Sequence, residues 1–185
     1  SERSRGLGDV YKRQELFAYQ YANNLPFHQF AMQQGLSPRM AKTWRDIPPV
    51  PINAFKSVLL TCCPADDRGR TFLTSGTTQD GVKGKSYHST LDIYDKSMIK
   101  NFKNRFLPDT TTIKMGILFP DEVVMPNSSL AHYCNLALHN FGTPCSSYHL
   151  NTNGIEFGNL FSDLRSSQEK GLSLIHISEP TRPLR

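Results

Sequence analysis

Apolar residues at Leu16, Phe17, Tyr19 and Tyr21, then at Phe27, Phe30, Ala31 and Met32, recur at helical rather than alternating spacing. Asn24 is placed to cap the second of these helices, with Pro26 early in it and Gly35 ending it. "SPRMAKTW" repeats that grammar, with Ser37 as cap and Pro38 in the first turn, and predicts a short helix to Trp44. In "DIPPVPINAFK" the prolines at 48, 49 and 51 remove donors and force extended geometry, so a stiff connector should lead to a helical turn at 53–57. A strand at 70–74 follows, and Ser86-Tyr87-His88 is placed to pair back onto it. The clearest amphipathic stripe is Leu91, Tyr94, Met98, Phe102, Arg105 and Phe106, in a helix that Ser89 or Thr90 starts. Ile113 to Phe119 reads as a mostly apolar, central strand. A helix from Ser128 or Ser129 to Asn140, closed by Gly142, a strand near 144–149 and a helix near 155–169 complete the pattern. Strands alternating with helices predict an α/β fold with a largely parallel sheet flanked by helices.

The two ends do not share this grammar. "SRGLGDVYKRQ" and "LSLIHISEPTR" resemble translations of the transposase adapter used in short-read library preparation, one matching a strand of that adapter and the other its reverse complement. Residues 1–14 and 171–185 are therefore expected to be adapter-derived tails that pack on nothing, which leaves 15–170 for fold reasoning. The tails contribute +2 and +1 of the formal net charge of +5, so residues 15–170 carry only +2. A nucleic-acid partner inferred from net charge loses most of its support. No apolar run approaches the ~20 residues that a membrane helix needs. Cys62, Cys63, Cys134 and Cys145 form no C-x-x-C pair, and reduced thiols in a cytoplasmic protein are the expected state.

The chemistry concentrates in "TFLTSGTTQDGVKGKSYHS", residues 71–89. A strand that ends in small, hydroxyl-bearing and glycine residues can point backbone N–H groups at an anion. Ser75, Thr77 and Thr78 add side-chain donors, Gly76, Gly81 and Gly84 allow close backbone approach, and Lys83 and Lys85 add charge. A plain hairpin turn, with Asp80-Gly81 supplying left-handed residues, explains the same stretch, and both can hold at once. A P-loop ATPase is rejected. Gly84-Lys85-Ser86 resembles the end of that motif, but its first glycine would fall on Gln79, and a strand rather than a helix follows.

"TSGTTQDGVKGK" resembles the phosphate loop of the adenylate-forming enzymes. With "WRDIPPVPINAFKS" before it and "MPNSSLAHYCNLALHNFG" after it, the chain is similar to the acyl-protein synthetases, the LuxE-type fatty-acid ligases, over nearly all of 15–170. Gln79 stands where that loop expects glycine, so which lysine faces phosphate stays open. The resemblance implies ATP-dependent activation of a carboxylic, by family default fatty, acid to an acyl-adenylate, with Mg²⁺ and later transfer to a thiol. It assigns phosphate holding to Ser75, Gly76, Thr77 and Thr78, with Lys83 or Lys85 as supporting cation. It also implies an acyl-transferring or reductase partner protein, and adenine-recognition, acidic Mg²⁺ and mobile C-terminal segments further along a parent chain. On that reading 15–170 is part of an N-terminal domain and inactive alone, and none of the four cysteines inherits the acyl-accepting role.

The alternatives are a non-catalytic phosphate- or nucleotide-binding module and a hairpin in a structural protein. His88 is placed either to line a pocket or as a surface strand residue. His132, Cys134, His139, Cys145 and His149 match no standard zinc spacing. Cys134 reads as core, Asp121-Glu122 as a solvated turn, and Trp44 with Phe55 as packing of the proline connector.

Overall fold

The computed structural model describes residues 2–66, 69–74 and 82–172, with backbone alone for 2–10. Chain contacts divide it into two compact units, residues 1–101 with 127–130 and residues 102–126 with 131–185.

The first unit opens with helices α1 (Glu2–Asn23) and α2 (Leu25–Gln33). Asn24 separates them as expected: its backbone is extended, and its Oδ1 accepts the Phe27 N–H at 3.2 Å. Gly35, at φ +69°, ends α2 by donating to the Met32 carbonyl, and Leu36 N–H returns to Ala31 O at 3.0 Å. The helical spacing seen in the sequence brings Phe17, Phe27, Ala31 and Ala41 into one buried cluster, with Phe30, Leu36, Ile47 and Val50 packed against it. Ile47 and Val50 come from the proline connector, so that stiff segment lies along the core before the turn α3 (Ala54–Ser57). Because Asn24 is 4 % exposed and bonds an otherwise orphaned N–H, Asn24→Ala should lower stability by about 1 kcal/mol in urea denaturation. Asn24→Ser should restore most of it.

Two expectations fail here for local reasons. The helix expected to run to Trp44 is instead a hydrogen-bonded turn at 38–40 and a single 3-10 turn, Trp44–Asp46. Asp46 Oδ2 accepts both the Lys42 N–H at 2.9 Å and the Thr43 N–H at 2.7 Å, donors that a continuing helix would have needed. The bond from Thr43 holds the Asp46 carboxyl below the usual range. The guanidinium of Arg13 lies over the Trp44 ring at 4.8 Å and that of Arg45 at 5.4 Å. Gln14 Nε2 also donates to Lys42 O at 2.8 Å, so the last two residues of the N-terminal tail do make contacts.

Strands β1 (Arg70–Leu73) and β2 (Lys85–His88) form the expected antiparallel hairpin, with Phe72 opposite Ser86 and Leu73 opposite Lys85. On the far edge of β1, Leu73 N–H donates to Asn127 O at 2.9 Å. Helix α4 (Asp92–Phe106) presents Tyr94, Met98 and Phe102 on its inward stripe and leaves Lys96, Lys100 and Lys103 exposed. Thr90 Oγ1 accepts Asp92 N–H at its entrance.

In the second unit Phe102 lies flat on Phe141 at 5.3 Å and meets Phe106 and Tyr133 at its edges, beside the buried Leu107 and Ala137. Strand β3 (Gly116–Ile117) leads through α5 (Ser129–Phe141) to β4 (Ser147–Tyr148), which pairs with β3 in parallel. A further parallel bridge joins Ile113 to Gly142. Strand, helix and parallel strand make a β-α-β crossover, the signature of an α/β chain. At Gly142 any Cβ would sit 2.4 Å from the Leu138 carbonyl oxygen, so only glycine closes α5 this tightly. Strands β5 (Leu150–Asn151) and β6 (Gly154–Ile155) form a small hairpin before α6 (Phe157–Glu169).

The fold is thus mixed helix and small sheets, and the largely parallel sheet is corrected. Among the described residues two of the three strand pairs are antiparallel, because their connections are too short for a parallel crossover. The 113–119 run is not a central strand. Only two of its residues are strand, it pairs on one side among the described residues, and Leu118 is 54 % exposed. No described helix is long and apolar enough to cross a membrane.

Candidate functional site

The hairpin positions the loop that the sequence singles out. Ser75, Gly76, Thr77 and Thr78 lie outside the described residues, as do Asp80 and Gly81; Lys83 and Lys85 are described, and both are exposed. The loop's two ends are held together. Thr74 N–H donates to Gly84 O at 3.0 Å, and Gly84 N–H donates to Thr74 Oγ1 at 2.8 Å. Gly84 is buried, and a Cβ there would stand 3.2 Å from Thr74 Cγ2 and 3.6 Å from Phe55 Cβ. A side chain there would crowd Thr74, and Phe55 of α3 stands against this neck.

Strand alternation sorts the flanking side chains. Arg70, Phe72, Ser86 and His88 share one face of the hairpin, and Thr71, Leu73, Lys85 and Tyr87 the other. His88 is half-buried among Phe72 at 5.5 Å and Tyr94 at 6.1 Å, and its Nε2 meets Ser86 Oγ at 3.1 Å. It is a packed residue on the aromatic face, not a surface one. Lys85 projects from the opposite face. Tyr87 lies across Gly69, where its ring fills the space a Cβ would need, and its hydroxyl accepts the Asp66 N–H at 3.1 Å.

Two polar clusters in the second unit lie apart from this loop in sequence. Asp163 on α6 accepts from Ser147 Oγ at 2.9 Å, approaches His149 Nε2 at 3.3 Å, and meets Lys114 Nζ at 3.4 Å. The Ser147 bond, with Lys114 beside it, holds the Asp163 carboxyl below its ordinary range. Serine, histidine and aspartate are together here, but not as a proton relay. Both partners meet Nε2, whereas a relay needs the acid on Nδ1 and the nucleophile on Nε2. His149 is 2 % exposed, and its Nδ1 has no hydrogen-bond partner among the described residues. The geometry ties α6 to the β3–β4 pair. Only His149 was singled out from the sequence; the Ser147-x-His149 spacing, which puts both on one face of a strand, was the available signal.

The second cluster corrects the solvated-turn reading of Asp121-Glu122. Asp121 Oδ1 accepts Val124 N–H at 2.8 Å, whereas Glu122 turns inward, to His132 Nδ1 and Asn135 Nδ2, each at 2.8 Å. Glu122 and His132 come together because Ala131 and His132 occupy the buried stripe of α5. No three His, Cys, Asp or Glu side chains among the described residues are grouped to hold a metal ion. All four cysteines are free thiols, and Cys134 is half-buried rather than fully in the core. Burial pushes the Cys134 and Cys62 thiols up, so neither is an activated nucleophile.

No family model, curated protein or solved structure matches this chain. What remains for function is the site itself: a hydroxyl- and glycine-rich connection on a pinned hairpin, with two exposed lysines on its return.

Proposed function

We propose that this chain is part of the N-terminal domain of an adenylate-forming acyl ligase of the acyl-protein synthetase type. The observation that carries the reading is the hairpin bearing "TSGTTQDGVKGK": β1 delivers the loop from its carboxyl end, Thr74 and Gly84 close its neck, and Lys83 and Lys85 stand exposed on the returning side. The proline connector that carries the resemblance lies against the core and ends at Phe55, beside that neck. The short β-α-β crossover of the second unit fits the expected layered α/β architecture, with a parallel sheet that the parent would extend. Helix α6 leaves Phe157, Phe161 and Leu164 exposed, an apolar face that further chain would cover.

In the proposed reaction a carboxylate oxygen of the substrate attacks the α-phosphorus of ATP. The new oxygen–phosphorus bond gives an acyl-adenylate, and the α–β anhydride bond breaks to release pyrophosphate. A thiol sulfur of the enzyme or a partner then attacks the acyl carbonyl and expels AMP. Ser75, Gly76, Thr77 and Thr78 hold the departing phosphates, which come with Mg²⁺, while charge develops on them; Lys83 or Lys85 supplies the supporting positive charge. A fatty acid is the proposed substrate class.

The test is carboxylate-dependent ATP–pyrophosphate exchange by the protein of the parent reading frame, across fatty and aryl acids. Exchange with at least one acid class is expected. Nucleotide binding without exchange with any acid would favour the non-catalytic module instead. On the ligase reading the 185-residue chain itself should bind ATP weakly in isothermal titration, and tight, adenine-specific binding would count for a complete nucleotide-binding module.

A further inference from the structure

We infer that α6 is a latched strap: the Asp163 carboxylate fastens it to the β3–β4 pair, and it can leave that pair while the aromatic core of the second unit stays closed. The inference uses none of the loop residues and is independent of the ligase reading.

A surface helix is ordinarily held by an apolar stripe. In α6 the half-buried positions are Leu160, Asp163, Ser166 and Ser167, one apolar side chain among three polar ones, and none of its residues is fully buried. Its other large apolar side chains, Phe157, Phe161 and Leu164, are exposed instead. What fastens the helix is therefore polar, and it is centred on one residue midway along it. Asp163 Oδ2 accepts from Ser147 Oγ at 2.9 Å and lies 3.3 Å from His149 Nε2, while its Oδ1 meets Lys114 Nζ at 3.4 Å. Lys114 Nζ also donates to Ser167 Oγ, one turn further on, at 3.2 Å. One carboxylate thus gathers both segments of the pair: Lys114 before β3, Ser147 in β4 and His149 after it. The entrance to α6 is tied separately, by Glu156 N–H to His149 O at 2.8 Å beside the β5–β6 hairpin. That end remains as a hinge when the carboxylate lets go. The aromatic core is a stack of α4 and α5 side chains, with Phe102 on Phe141 and against Tyr133.

The charged and titratable groups that face Asp163 are Lys114 and His149. The Ser147 bond, with Lys114 beside it, holds the carboxyl below its ordinary range. The fastening is therefore complete above about pH 4, the unfolded carboxylate range, and is lost as pH falls through the lower folded value.

Amide hydrogen exchange of the 185-residue chain, read residue by residue as protection factors from neutral pH down to about pH 3, tests the latch. Wild-type α6 amides should open more often than those of Ala137 and Phe141 in α5, by about tenfold or more. Asp163→Asn should lower α6 protection by a further factor of about ten at neutral pH and leave α5 unchanged, a modest loss because the Asp163 side chain is 36 % exposed. The ratio of α6 to α5 protection should fall toward acid pH in wild type and stay flat in Asp163→Asn. Phe161→Ala should leave it unchanged. Ser147→Ala keeps the carboxylate and removes one donor, so it should give a smaller loss at the same amides, and it decides the matter should Asp163→Asn not fold. Equal protection of α6 and α5 in wild type, or α6 protection unchanged in Asp163→Asn, overturns the latch. So does an α5 loss as large as that of α6, because the carboxylate would then support the whole unit.

Discussion

If the proposed ligase reading holds, replacing Thr77 and Thr78 by alanine in the protein of the parent reading frame should reduce ATP–pyrophosphate exchange by about 10²–10³, while its unfolding midpoint stays close to wild type. The two readouts separate because the hydroxyls act on different states. Substitutions away from a packed core, cap or strained backbone usually change stability by about 0.5 kcal/mol or less. On the proposed ligase reading the hydroxyls would face charge developing on pyrophosphate in the transition state, where a preaimed donor counts far more. Stabilisation present only in the transition state raises the rate without tightening substrate binding, so the loss should fall on the maximal rate more than on the Michaelis constant for ATP. Exchange near the wild-type rate in the double variant would remove the loop from the mechanism. An equal loss of stability and rate would instead make it a structural hairpin.

The largest stability effect is expected at Phe102. It is 5 % exposed, stacked on Phe141 with an interplanar angle of 10°, and in contact with Phe106 and Tyr133. Phe102→Ala removes the ring that these three surround and leaves a cavity they cannot fill without leaving their rotamers. The cost should be about 3–5 kcal/mol in urea denaturation, a large part of the total stability of a small domain. Phe102→Leu should recover more than half. The contrast with Phe161 on α6, 63 % exposed, gives the control, since Phe161→Ala should be close to neutral in the 185-residue chain. A small effect at Phe102 would mean that the aromatic stack contributes little to holding the second unit.

The absence of a matching relative places the functional reading on the residues of one hairpin and their resemblance to a phosphate loop. Lys83 and Lys85 cannot be equivalent in that role. Lys85 pairs across from Leu73 within the strands, on the face opposite His88 and Phe72, whereas Lys83 precedes the neck. Comparing Lys83→Met with Lys85→Met in the exchange assay therefore asks whether the supporting charge comes from the connection or from the strand.

What the sequence determined by itself is local. Asn24 and Gly35 bound α2 because a side-chain amide oxygen that accepts at the cap and a left-handed residue act within four positions of the bonds they make. The i, i+4, i+8 stripe of Tyr94, Met98 and Phe102 buries one face of α4 for the same reason: helical geometry fixes which side chains are neighbours before any packing. The hairpin was legible because two β-type runs flank a glycine-rich turn. Tertiary structure decided the rest. Whether Ile113–Phe119 lies at a sheet centre depends on which strands come to its two edges, and hydrophobicity carries no partner's name. Asp46 stops a helix by capturing two N–H groups, a competition that propensity alone does not resolve. Asp163 reaches Lys114, Ser147 and His149 across separations of up to 49 residues, and Glu122 turns to His132 because a helix face happens to be buried there. Such polar meetings depend on chain closure over long distances, and no periodicity in the sequence records them. The neck between Thr74 and Gly84 lies between the two cases: the glycine was visible as a turn residue, but the hydroxyl that takes the place of a backbone acceptor, and the Phe55 behind it, appear only once the strands are paired.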